Sequence, residues 1–176
     1  MNPPRFFQED TYHHLYNRGV NRGEIFFDLN DYLFFQRRLL KYKLKYSIKV
    51  LCYCLMPNHF HLFVWQTLKD KPLSKFISDL INSYTKSINK KYKRSGVLFE
   101  SETKNKIIYD EKTYPALVKY ILMNPVRANL CRTSEEYEFS SAKEIMKLTP
   151  YNITDEIISN YFESIEKFRE YMVGEV

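Results

Sequence analysis

Apolar positions recur along this chain with two different periods, and the changes of period divide it into elements. Tyr12 to Tyr16 reads as a strand, followed by two basic turn tripeptides, Asn17-Arg18-Gly19 and Asn21-Arg22-Gly23. Asp28 or Asn30 can cap a helix on which Phe35, Leu39, Tyr42 and Tyr46 share one face. Ser47 to Leu55, rich in β-branched and aromatic residues, predicts a strand. Pro57-Asn58 then turns the chain into another, His59 to Trp65.

The clearest helix comes next. Leu73, Phe76, Ile77, Leu80, Ile81, Tyr84 and Ile88 keep helical spacing, and Lys75, Lys86, Lys90 and Lys93 lie opposite them. Gly96 ends that unit. Val97 to Ile108 predicts a further extended segment, and a third helix runs from about Asp110 to Met123, stopped by Asn124-Pro125. Ser140-Ser141 offers a cap, Pro150 a break, and Thr154 to Met172 a helical tail. The order strand, helix, strand, strand, helix, strand, helix predicts an α+β domain. Its core is a ferredoxin-like antiparallel sheet with helices packed on it, and the helical tail follows.

Composition changes this picture in two ways. The 176 residues suit one domain, and 27 Lys plus Arg against 21 Asp plus Glu fit a polyanionic partner without singling one out. The three cysteines are odd in number, and Cys52 and Cys54 are too close on an extended segment to pair with each other, so reduced thiols are expected. Met1-Asn2-Pro3-Pro4-Arg5 is not followed by an apolar stretch of signal length. The longest apolar run, Val50 to Met56, is too short to span a bilayer, and the expectation is a soluble cytoplasmic protein.

The sharpest local signal for chemistry is His59-Phe60-His61. Residues two apart on a strand point to one side, so both imidazoles can meet one metal ion, although two half-buried hairpin histidines would give the same triplet. Cys52 and Cys54 could complete a zinc site if the turn register put them on that side; core packing is their other reading. His13 and His14 must face opposite layers, and either could be a satisfied core histidine. Tyr120 is one of 15 tyrosines. It lies roughly 120–130° from the centre of the Tyr114, Leu117, Val118, Ile121, Leu122 stripe at ~100° per residue, so it is not placed as a core residue. Asn124 follows nearly in line with it, and Ala116 leaves room beside the ring.

Five segments together resemble the single-tyrosine HUH transposases, most closely the REP-associated tyrosine transposase group. They are His14-Leu15-Tyr16-Asn17-Arg18-Gly19, Met56-Pro57-Asn58-His59-Phe60-His61-Leu62, Gly96-Val97-Leu98-Phe99, the run Tyr120 to Ala128 containing Asn124-Pro125-Val126-Arg127, and Ser140-Ser141. The resemblance implies a transposase domain over residues 1–148 with a C-terminal helical extension over 149–176. It implies His59 and His61 as metal ligands, Asn124 as a third, amide ligand, and Tyr120 as nucleophile. The ion would be magnesium or manganese, a departure from the later transition metals that imidazole prefers. DNA contacts are expected from Arg18, Arg22, Lys86, Lys90, Lys93, Lys104 and Arg127, with Glu100 and Glu102 as acidic departures in a stretch where relatives are more basic.

A free phenol ionises near pH 10, about three units above neutrality, so such a nucleophile needs activation. Attack on single-stranded hairpin DNA would leave a 5′-phosphotyrosine and a free 3′-hydroxyl, and members of the group commonly form homodimers. Three alternatives compete: an inactive or domesticated DNA-binding descendant, an RNA-binding module stacking bases on an open sheet, and a two-histidine phosphoesterase. The last needs a second His-x-Ser or His-x-Thr motif, whereas His13 and His14 are followed by Leu15 and Tyr16.

Overall fold

A computed structural model of the chain describes residues 10–68, 73–150, 153–155 and 161–174. Four strands, β1 (Thr11–Arg18), β2 (Ile48–Met56), β3 (His59–Gln66) and β4 (Lys104–Ile108), form one antiparallel sheet in the order β2-β3-β1-β4. That order puts the two strands carrying histidines, β1 and β3, side by side at the centre. The α+β, ferredoxin-like expectation holds.

Period-2 alternation sends the two faces of the sheet into separate cores. On one face Leu15, Phe60, Leu62 and Val64 pack under α1 (Leu29–Tyr46) and α2 (Leu73–Lys91), against Phe35, Leu39, Phe76, Leu80 and Tyr84. Helix α1 begins at Asp28, whose carboxylate accepts from the Asp31 amide while Asp31 reaches back, a reciprocal capping box. On the other face Cys52, Cys54, Met56 and Phe63 pack against Tyr114, Val118, Ile121 and Leu122 of α3 (Tyr114–Leu122). The C-terminal helix contributes Phe168 and Met172 to this second core.

Three expectations change. The extended segment from Val97 to Ile108 is a strand only over Lys104–Ile108. Leu98 and Phe99 are consecutive and both buried in the α1/α2 core, which strand alternation forbids. The third helix is three pieces: a 3-10 turn at Glu111–Thr113, α3, and a short α4 (Asn124–Arg127). Pro125 does not simply stop the chain's helicity, because it sits in the first turn of α4, where its missing N–H costs nothing. The tail is helical over Ile165–Val173 (α6, after the short α5 at Ala142–Ile145), while residues 156–160 of the expected helix lie outside the described residues.

Thr154 and Asp155 are not helical; they are tied down ahead of that tail. The buried Glu144 carboxylate accepts from the Ile153 and Thr154 amides at 2.7 and 2.9 Å, and Asp155 donates its amide to Val50 O at 2.6 Å. Phe139–Ser141 also bonds to β2, through Leu55 N to Phe139 O and Ser141 N to Tyr53 O. Together these segments cover the β2 edge of the sheet. Among the described residues no helix is long and apolar enough to cross a membrane.

Candidate active site

Residues from four separate stretches meet at one end of the second face. They surround an open cleft of about 430 Å³ lined by Tyr16, Asn17, Arg18, Arg22, Asn58, His59, His61, Glu100, Lys104, Tyr120 and Asn124, among others. His59 and His61 come from β3, as i and i+2 residues on one face. Tyr120 comes from the last turn of α3. It is 44% exposed while Tyr114, Val118, Ile121 and Leu122 are buried, as its place on the helical wheel requires. Its ring stands edge-on to His61 of the same chain, with centroids 5.6 Å apart.

Asn124 opens α4, one turn beyond Tyr120. Its Nδ2 donates to the carbonyls of Tyr120 (2.8 Å) and Ile121 (3.3 Å). Carbonyls only accept, so the amide orientation follows and Oδ1 is the atom left for His59. Across the turn, Asn58 Nδ2 donates to the Arg22 carbonyl at 3.1 Å, which aims Asn58 Oδ1 at His59 Nδ1, 2.7 Å away. His59 therefore carries its proton on Nδ1 and keeps a lone pair on Nε2. Burial holds His59 below the usual histidine range, opposed by its interaction with Asn124.

His61 is buried. Desolvation first, then His14 and His59, push its pKa down to about 3. Its Nδ1 lies 2.9 Å from His14 Nε2, a buried contact from the neighbouring strand. Two imidazole nitrogens and one amide oxygen could thus hold a divalent ion. The cysteines do not join them. Cys54 is directly across from His61 in register, yet it and Cys52 are fully buried in the α3 core, and burial pushes both thiols up. Among the described residues no three His, Cys, Asp or Glu side chains assemble as a metal cluster, so the zinc alternative built on these cysteines fails.

The basic residues divide into two groups. Arg18, Arg22 and Lys104 line the cleft, and the Arg127 guanidinium sits 5.5 Å from the centre of the Tyr120 ring. Lys86, Lys90 and Lys93 belong to α2 and the turn after it, on the opposite face of the sheet, and are not brought to Tyr120. Arg18 is already engaged: its Nε and Nη2 both donate to Glu100, the latter at 3.1 Å. That ion pair holds the Glu100 carboxyl below its usual range. Asn21 and Arg22 both adopt left-handed backbone, at φ 53° and 59°, in the loop that carries Arg22 to the rim.

Tyr16 and Asn58 line the cleft and His14 backs it through His61, yet sequence reasoning assigns none of the three a role, although all lie in segments that carry the resemblance. By residue pattern His14 looks equivalent to His13, Asn58 like a turn residue, and Tyr16 like a strand residue. Only alternation hints that His14 and Tyr16 share a face. The pairing of Tyr16 with His61 is set by long-range register.

Comparison with known proteins adds the decisive observation. Residues 8–123 match the family model described as "Transposase IS200 like". The chain belongs to that transposase family. This IS200-like transposase matches none of the curated proteins. It is similar to the solved structure of a REP-associated tyrosine transposase bound to a REP hairpin, with a TM-score of 0.71 at 16% identity, covering 93% of this chain and 95% of that one. The shared fold spans nearly the whole of both. A crystal structure of a candidate transposase from Deinococcus radiodurans R1 is a more partial likeness, at a TM-score of 0.46 and 14% identity over 70% of this chain and 97% of that one.

Proposed function

We propose that this transposase nicks and rejoins single-stranded, hairpin-forming DNA, with Tyr120 as nucleophile. The carrying observation is the edge-on approach of Tyr120 to His61 in an open cleft rimmed by Arg18, Arg22 and Lys104. A buried structural tyrosine would not be left 44% exposed beside a histidine pair. The hairpin bound by the structurally similar REP-associated protein supports the choice of substrate.

A divalent ion, magnesium or manganese, fits the donor set of His59, His61 and Asn124. Asn124 Oδ1 and, with the Nδ1 proton given to Asn58, His59 Nε2 are both left as acceptors among the residues lining the cleft. When bound, the ion supplies Lewis-acid polarisation of a non-bridging phosphate oxygen. The chain does the rest. The cationic rim holds the phosphate backbone, and α3 aims Oη at phosphorus. The Oη–P bond forms as the P–O3′ bond breaks; the phenol gives up its proton, and the 3′ oxygen leaves as a hydroxyl. The resulting 5′-phosphotyrosine conserves the phosphodiester energy, so a second 3′-hydroxyl can reverse the step.

The RNA-binding alternative requires an open sheet face for base stacking. Here α1 and α2 cover one face and α3 most of the other. The homodimer implied by the resemblance would form away from the covered β2 edge, with β4 the outer strand on the other side of the sheet. The test is covalent capture: wild type with hairpin DNA and Mg²⁺ or Mn²⁺ should give a protein–DNA adduct, and Tyr120→Phe and His61→Ala should not. An adduct persisting in Tyr120→Phe would remove Tyr120 as nucleophile. Binding without any adduct in wild type would favour a domesticated DNA-binding protein.

A further inference from the structure

His14 comes from β1, two residues before the Tyr16 position that pairs with His61, and lies diagonally across from His61. Its Nε2 is 2.9 Å from His61 Nδ1, and the two residues are only 7% and 6% exposed. Enclosed between neighbouring strands and away from solvent, the pair is favoured in its uncharged form. Two neutral imidazoles can share such a bond in only one sense at a time: one ring donates and the other accepts. If His14 donated, the remaining proton of His61 would sit on Nε2 and occupy the nitrogen left for the cleft. If His61 donates, its Nε2 lone pair is free.

Its neighbour shows which arrangement the site is built for. His59 is held with Nδ1–H donated to Asn58 Oδ1, because the Asn58 amide is itself locked by the Arg22 carbonyl. We propose that His14 is a positioning residue that accepts the Nδ1–H of His61, so that both histidines of the triplet present an Nε2 lone pair to the same cleft. The role rests on the reading of His61 as a ligand. A ligating histidine gains both orientation and basicity from an acceptor on its other ring nitrogen. The His14 ring also lies near-perpendicular to that of Tyr120, with centroids 6.2 Å apart, so it neighbours the proposed ligand and the proposed nucleophile together.

The tautomer can be read without metal or DNA. Long-range ¹H–¹⁵N correlation on metal-free protein labelled at histidine should show His61 protonated on Nδ1 and bare on Nε2. The paired variants are His14→Gln, whose amide oxygen can take the place of Nε2 as acceptor, and His14→Leu, which fills the space without one. Mn²⁺ affinity, read from the EPR signal of the free ion, should fall roughly 10- to 100-fold in His14→Leu and recover most of that loss in His14→Gln. Protonation of His61 on Nε2 in wild type would overturn the proposal, as would wild-type Mn²⁺ affinity in His14→Leu. Equal losses in both variants would reduce His14 to a packing residue and overturn it too. A wild type with the Nδ1–H tautomer but no Mn²⁺ affinity would sink the metal reading of the site while upholding the direction of the His14–His61 bond.

Discussion

Tyr120 and His61 of a single chain stand edge to face, 5.6 Å between ring centroids, so one molecule carries both halves of the candidate site. Helix α3 is also packed into the core of that chain through Val118, Ile121 and Leu122, which opposes lending Tyr120 to a partner. Mixing Tyr120→Phe with His61→Ala should therefore fail to restore adduct formation, at any ratio. Any substantial recovery of adduct in the mixture would mean that helices exchange between chains.

Arg18 is spent on Glu100 within the cleft, and phosphate must compete with that carboxylate. Glu100→Gln should free the guanidinium. Binding to single-stranded DNA should tighten, and the slope of log K against log salt should steepen by up to about 0.7, one further phosphate contact on a single strand. Arg18→Ala should weaken binding, and adding Glu100→Gln to it should recover part of the loss by removing an uncompensated carboxylate, without steepening the slope. Fluorescence anisotropy over a salt series measures both, and an unchanged slope in Glu100→Gln would show that Arg18 does not reach the DNA.

The buried neutral pair His14 and His61 ties stability to pH. The unfolded chain protonates each histidine near pH 6.5, at about its free value, whereas the folded chain holds out until about 4 and 3. Between those limits the unfolded state binds more protons, so stability is full above pH 6.5 and is lost as pH falls. Each histidine contributes up to about 1.4 kcal/mol per pH unit. Urea unfolding of metal-free protein should show His14→Gln less sensitive to acid than wild type from about pH 6.5 down to about 4.5. Parallel curves would mean that His14 is already charged in the folded state.

Lys119, the residue before Tyr120, buries its ammonium against the end of α6. Its Nζ donates to Tyr171 O at 2.8 Å and to Gly174 O, satisfying carbonyls that the helix terminus leaves open. Lys119→Met should cost about 1–3 kcal/mol in chemical denaturation, the penalty of carbonyls left buried without a donor. A change within about 0.5 kcal/mol of zero would show that water takes over those carbonyls.

Much of this molecule is legible in its sequence, because the relevant signals are local. The Asp28 cap, the Phe35–Leu39–Tyr46 face, the Leu73 to Ile88 stripe and the exposure of Tyr120 all follow from spacing within a single element. Local pattern fails where distant contacts compete with it. Leu98 and Phe99 leave strand geometry to fill a core, and α2 with its lysines packs on the other side of the sheet from the cleft.

Periodicity alone puts His59 and His61 on one side of a strand, and Tyr120 and Asn124 on one ridge of helix. That these two pairs meet is a product of tertiary packing. So are the backing of His61 by His14, the setting of the His59 proton by Asn58, and the hold of Glu100 on Arg18. Those relationships depend on strand register and on loops crossing from residues dozens of positions away, and no local pattern encodes which distant surfaces bury each other.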